Sequence, residues 1–350
     1  MQKIKRDVNY DLMRVICMLF VIAIHVTQMP FSEDTLWGSA CIILLFSCNN
    51  IFFFLSGRFN LNHTFECKED YRKYYLKKLL TIVFPYLFVT CLRSAFKMYV
   101  VHTADVSGGL GVYLRYTYEG LMSANSSNHL WFMYPLIGML LTAPFLAKLI
   151  QKLTDWELNL LFTIGIIWNA VKVYLTADFD IGFSYNSWML SGWMLSFFAG
   201  YYIYRNVNQG NKKKWYFWGI AGFGVSALGQ WLIPEHFKNA TDYSVAFLIF
   251  TMALYIFIEK EVVIKNETVK QIIFFLARYS FLIYLLHGTV LSSITPRIVI
   301  TNSVKWNFAG SILAAFIISL FMAIVIDTCI LHPIQAFFKR RWKLENEKKG

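Results

Sequence analysis

The 350-residue chain is short of charge. Only 15% of it is Asp, Glu, Lys or Arg, against roughly 25% in a soluble domain. That is too little to coat a water-facing surface. No polar stretch long enough for a soluble domain separates the apolar runs, which recur from residue 11 to residue 338. Internal repeats, low-complexity tracts and extramembrane linkers are also missing, so residues 1–350 read as one membrane domain. The six cysteines (Cys17, Cys41, Cys48, Cys67, Cys91 and Cys329) contain no C-x-x-C pair. This argues against a zinc site or a disulfide framework, and no metal is expected. The first apolar run holds Arg14 and His25 and is followed by no small-residue cleavage site, so it is not a removable signal peptide. The glycines of Ser107-Gly108-Gly109-Leu110-Gly111 lack a following Lys-Ser/Thr, which excludes a phosphate-binding loop and leaves turns.

What is present is a series of segments near the 20 or so apolar residues needed to cross a bilayer. Ten are expected, at 11–29, 36–56, 79–101, 129–150, 158–176, 187–204, 215–233, 243–258, 272–292 and 307–337. The last is long enough to tilt or to run on along the surface. Pro30, Gly210 and Pro234 punctuate the breaks. The resulting expectation is an all-α polytopic membrane protein of about ten transmembrane helices, in the plasma (inner) membrane.

The formal net charge is +12, yet the basic residues form no single patch, which speaks against nucleic acid as a partner. They fall in clusters between apolar runs. With the N-terminus placed inside, the segments 1–10, 57–78, 148–157, 205–214, 259–271 and 338–350 hold 24 of the 33 Lys and Arg. The outer segments hold Arg115, Lys238, Arg297 and Lys305. Such a bias predicts both termini in the cytoplasm and an even number of spans. The inner segment 57–78 ends in Tyr71-Arg72-Lys73-Tyr74-Tyr75-Leu76-Lys77-Lys78. Two readings stand: an interfacial helix whose lysines meet anionic lipid, or a basic mouth for a polyanionic ligand. Segment 102–128 is expected to be the longest outer loop.

Ionisable side chains in a bilayer core are costly, so each one raises a functional question. Arg14 and His25 lie eleven residues apart, which places them within roughly 20° of each other and about 16 Å apart along an α-helix. Taken singly, Arg14 reads as a snorkelling arginine held by Asp11, and His25 as a histidine bonded within the bundle. Their shared face instead suggests a polar path in which Arg14 holds a phosphate and His25 moves a proton. His287 lies well up the ninth span. Arg278 is nine residues earlier and so half a turn away, facing another side. His129 opens the fourth span just before Trp131, a residue type also common as an interfacial anchor. Asp327 in the last span is expected to pair with Arg278 or another buried cation. Ser56, in the turn expected at Ser56-Gly57, reads as a packing or cap residue ahead of a nucleophile.

Taken in order, these elements resemble acyltransferase family 3, the polytopic O-acyltransferases of bacterial surface glycans, over nearly the whole chain. The elements are Asp11, Arg14 and His25 in the first span, then Ile51-Phe52-Phe53-Phe54-Leu55-Ser56-Gly57. The basic run Arg72, Lys73, Lys77 and Lys78 follows, leading to Pro85, then His129-Leu130-Trp131-Phe132 and Tyr284 with His287. The sequence departs from the family pattern at Arg58, where an apolar residue is common, and in Lys for Arg within the basic run. It also ends soon after the last span, as in short members without an extracellular esterase-like domain.

The resemblance implies transfer of an acyl group, expected to be acetyl, from cytoplasmic acyl-CoA to a hydroxyl of a cell-envelope, lipid-linked or exopolysaccharide sugar. His25 is expected to act as the base or as a transient acyl carrier. Arg14 is expected to bind the donor's phosphates, with Arg72 and Lys73 adding charge. Asp11, His129, Trp131 and His287 would line the substrate path. The alternatives are a transporter or flippase for a glycan intermediate, which would often show an inverted hydropathy repeat, and a non-enzymatic membrane module.

Overall fold

The computed structural model describes residues 6–26, 29–32, 34–101, 109–122, 128–178, 190–234, 244–293 and 303–347. Every regular element among them is helical. In chain order the helices are α1 (Val8–Ile24), α2 (Leu36–Asn60), α3 (Lys68–Lys78), α4 (Phe84–Tyr99), α5 (Gly109–Met122), α6 (Met133–Gln151), α7 (Asp155–Asp178), α8 (Trp193–Asn206), α9 (Lys212–Leu232), α10 (Val245–Glu261), α11 (Glu267–Ser293), α12 (Val304–Ile326) and α13 (His332–Glu347). Among the described residues each of the ten expected spans overlaps a helix. Among the described residues, five helical runs are both long and apolar enough to cross a bilayer: Leu36–Asn60, Lys68–Tyr99, Met133–Gln151, Glu267–Ser293 and Val304–Arg340. Helices α1 and α10 have 17 residues and α8 has 14. The exterior carries large apolar side chains, including Ile220 at 76% and Phe321 at 68% exposure. An apolar face on this scale marks a surface that meets lipid.

The bundle is held by close backbone approaches and by polar links between helices. Helices α2 and α8 approach each other at reciprocal glycines. A β-carbon on Gly57 would fall 1.6 Å from the Phe197 carbonyl oxygen, and one on Gly200 would fall 1.9 Å from that of Phe54. Gly219 and Gly222 play the same part where α9 meets Ala253 and Ala246 of α10. Small residues at crossings are how helices associate where no water drives them together. Asn50, fully buried on α2, joins three helices: its amide nitrogen donates to Thr251 on α10 at 3.1 Å, and its oxygen accepts from Ser196 on α8 at 2.8 Å.

Two π-helical turns interrupt otherwise continuous helices, at Leu79–Val83 between α3 and α4 and at Asp327–Leu331 between α12 and α13. Each ends two residues before a proline, Pro85 and Pro333. Proline removes a backbone donor and crowds the preceding turn, and a one-residue bulge relieves that strain. In π register the Leu80 carbonyl would take its hydrogen from residue 85, which is proline and has none. Gln335 of α13 supplies the donor instead, at 3.3 Å. Asp327, in the second turn, pairs with Arg278 at 2.6 Å, as expected.

Three expectations change. The segment 102–128, expected as an outer loop, is not simply a loop, since α5 occupies Gly109–Met122 and is tied to α4 by Tyr113 donating to the Cys91 carbonyl at 3.0 Å. The turns expected from its glycines give way to a helix start: Gly109 has φ +58°, a conformation glycine adopts without strain, and residues 102–108 lie outside the described residues. No turn follows Ser56-Gly57, because α2 runs on to Asn60, packed against α8. And α1 ends at Ile24, so His25 caps the helix instead of lying within it.

Candidate functional site

The end of α1 explains how His25 is held. In the last turn the His25 amide bonds to Ile22 O and the Val26 amide to Ala23 O, both at 3.2 Å. This tightening leaves the Val21 carbonyl without its usual partner four residues on. The His25 ring takes that place, with Nδ1 2.8 Å from Val21 O. A carbonyl only accepts, so Nδ1 carries the hydrogen and Nε2 keeps its lone pair.

His287 is oriented in the same way, with Nδ1 2.6 Å from Tyr284 O, and it is fully buried on α11. His129 sits in the 3₁₀ turn Asn128–Leu130 ahead of α6, pinned by the Tyr284 hydroxyl, which donates to its carbonyl at 2.6 Å. The ring of His129 lies directly over Gly288, where an added β-carbon would come within 2.3 Å of Nδ1.

These three histidines, from α1, the turn before α6 and α11, converge. Ring centroids are 5.0 Å apart for His129 and His287, 5.2 Å for His25 and His287, and 6.2 Å for His25 and His129. The rings meet edge to face. Nε2 of His129 and Nε2 of His287 are buried with no hydrogen-bond partner. Buried polar atoms are nearly always satisfied, so two such atoms side by side mark a place for a ligand, a proton or water. Among the described residues no group of His, Cys, Asp or Glu has an arrangement suited to a metal ion.

Arg14 and Asp11 occupy the other end of α1. Asp11 is 1% exposed and bonds both Arg6 and Arg14, while Arg14 also lies 5.4 Å over the Phe59 ring. They line a cavity of about 780 Å³ together with Lys73, Lys77 and Lys78 of α3, and with His63, Ser56 and Asn60. Five cations thus face one carboxylate. Cations at exposed mouths attract polyanions, and guanidinium forks bind phosphate in two places at once. The inner wall of the cavity is Phe132 and Tyr284. Behind it, the Tyr284 ring stands 5.8 Å from that of His287. The cavity therefore leads from the basic end towards the histidines.

The expected site residues separate into groups. Asp11, Arg14 and Lys73 share the basic cavity, and His25, His129 and His287 share the cluster. Trp131 follows His129 by two residues, its ring 5.1 Å from that of Trp193, which in turn stacks on Phe53 at 5.0 Å. Arg72 is apart. It lines a second cavity on the other side of α3, because successive helix residues point about 100° away from one another. Sequence reasoning placed Lys77 and Lys78 in the basic run without assigning them to the donor site, although Lys77 follows Lys73 by four and so shares its face. It also missed Arg6, Trp193 and Gly288. Arg93 is buried on α4, and its position in the third span was the available signal.

A helical bundle with an apolar exterior and several helical runs long and apolar enough to cross a bilayer is the architecture of a membrane protein. The acyltransferase 3 family profile, described as an acyltransferase domain, matches residues 7–328. The chain belongs to this acyltransferase family, and membership assigns it acyl transfer. No curated protein and no solved structure gave a match to the chain.

Proposed function

We propose that the protein transfers an acetyl group from acyl-CoA, held at the cytoplasmic side, to a hydroxyl of a lipid-linked or cell-envelope glycan. The observation that carries this reading is the meeting of His25, His129 and His287 behind the inner wall of a cavity whose mouth has five cations. Arg14, Lys73, Lys77 and Lys78 neutralise the phosphates of the donor. The roughly 16 Å from Arg14 to His25 along the helix suits an extended pantetheine arm, which brings the thioester to the histidines while the nucleotide stays outside.

His25 is the base. Its Nδ1 is fixed on Val21 O, so Nε2 faces the task of taking the acceptor's proton. An unactivated hydroxyl is a weak nucleophile, and removing its proton as the ester C–O bond forms lowers that barrier; the thioester C–S bond breaks, and the proton taken by His25 passes to the leaving CoA thiolate, which departs as the thiol. His287 and His129 border the same space and complete the path for the proton. Trp131 and Trp193, packed against each other, offer flat apolar faces suited to the apolar side of a sugar ring.

The same reading places ten spans in the plasma membrane with both termini in the cytoplasm, supported by the bias in Lys and Arg. Single-cysteine accessibility labelling should then mark the segment at Arg72 and α5 from opposite sides of the membrane. For the activity itself, purified protein incubated with radiolabelled acetyl-CoA should hydrolyse it slowly and transfer the label to a glycan acceptor. A transporter or flippase would leave the thioester intact.

A further inference from the structure

We propose that the second cavity, between α3, α6 and α13, is a binding groove for one anionic phospholipid. Three observations support it. The first is its shape and lining. The groove encloses about 920 Å³, with Leu79, Val83, Leu141 and Phe338 among its walls and Arg72 and Lys78 among its polar lining. Arg72, Leu76, Leu79 and Val83 follow one another at helical spacing, so a single face of the α3–α4 run presents a cation and then an apolar strip. An amphiphile with an anionic head and hydrocarbon tails matches that sequence of surfaces; a soluble phosphate compound leaves the apolar strip uncovered.

The second observation is where the walls face. Leu141, Leu79 and Phe338 are 57%, 50% and 40% exposed, on helical runs long and apolar enough to cross a bilayer. The occupant therefore comes from the membrane. The third is that the groove is built. Gln335 bonds the Leu80 carbonyl orphaned by Pro85 and fastens α13, which carries Phe338, against the first π-helical turn. Tyr75 donates to the Leu141 carbonyl at 2.8 Å and fixes α3 on α6. Lys78 and Leu140 line both cavities, so a lipid seated here forms one side of the wall of the basic cavity.

The inference goes beyond the acyl-transfer reading and does not depend on it. The full-length protein, exchanged into detergent with either phosphatidylglycerol or phosphatidylcholine, is examined by native mass spectrometry, with acetyl-CoA affinity measured on the same samples. Wild type should retain one phosphatidylglycerol in preference to phosphatidylcholine. Arg72→Gln should lower that retention roughly fivefold, as expected for one basic residue at an anionic headgroup, and leave acetyl-CoA affinity unchanged. Lys73→Gln should do the reverse. Leu141→Trp should reduce retention of both lipids by filling the tail channel; if it does not fold, Arg72→Gln decides alone. Equal retention of the two lipids by wild type, displacement of the lipid by inorganic phosphate, or an Arg72→Gln variant that keeps its lipid would each overturn the proposal. An Arg72→Gln variant that loses acetyl-CoA instead would return Arg72 to the basic cavity.

Discussion

Helix α1 carries Arg14 in its first half and His25 at its C-terminal cap, and the two ends are built on different principles. Near Arg14 the structure is open and crowded with charge: a carboxylate bonded to two guanidiniums, with lysines from another helix facing the same cavity. Near His25 it is closed and almost free of formal charge. Three imidazoles pack edge to face, and two of them are fixed by hydrogen bonds to backbone carbonyls. The basic end suits recognition of a polyanion, in which several cations share the work and each is partly replaceable. The histidine end suits chemistry, in which the tautomer and position of one ring decide the rate and nothing substitutes for it.

The widest separation between the ends should come from removing one ring. His25→Ala is expected to abolish transfer, a loss on the order of 10²–10⁴-fold for a general base, while acetyl-CoA affinity stays within about twofold. Full activity in this variant would remove His25 from the chemistry.

Next in size is Gly288→Ala. The added carbon cannot occupy its place unless the His129 ring moves. A displacement of about 1 Å at a reacting centre costs on the order of 10²-fold. The loss should appear in kcat with KM for acetyl-CoA unchanged, as a general loss of folding would not. An unaltered kcat would show that the position of His129 is unimportant.

At the basic end the effects should be smaller and fall on KM. Arg14→Ala is expected to raise KM for acetyl-CoA roughly tenfold with kcat retained, the size of one charge-assisted bond to a phosphate. Arg14→Lys should restore only part, since an ammonium lacks the planar fork. If Arg14→Ala and His25→Ala lose donor binding equally, the two ends do not divide the work.

The smallest effect tests the scaffold that both ends share. Asn50→Ala removes two bonds between helices. Such bonds average about 0.6 kcal/mol each in membrane proteins, so the thermal midpoint of unfolding should fall by a few degrees, with both kinetic constants intact at low temperature.

Much of this was legible along the chain because it depends on neighbours in one helix. The apolar runs fix where helices form. The 100° step per residue places Arg14 and His25 on one face, and the same step separates Arg72 from Lys73. The half-turn between Arg278 and His287 is read in the same way: one pairs with Asp327 at the surface and the other lies in the buried cluster. The structure alone decided what depends on distant segments. His129 and His287 reach His25 because α6 and α11 pack beside α1, and no spacing in the sequence records that. Gly288 matters only because another helix lays a ring on it. The π-helical turns ahead of Pro85 and Pro333 are local responses to proline, but the bond from Gln335 that completes the first of them needed α13 placed against that turn. Residue spacing thus determined which groups share a helix face, and packing determined which faces meet, because burial and hydrogen bonding between helices are settled only when the whole bundle closes.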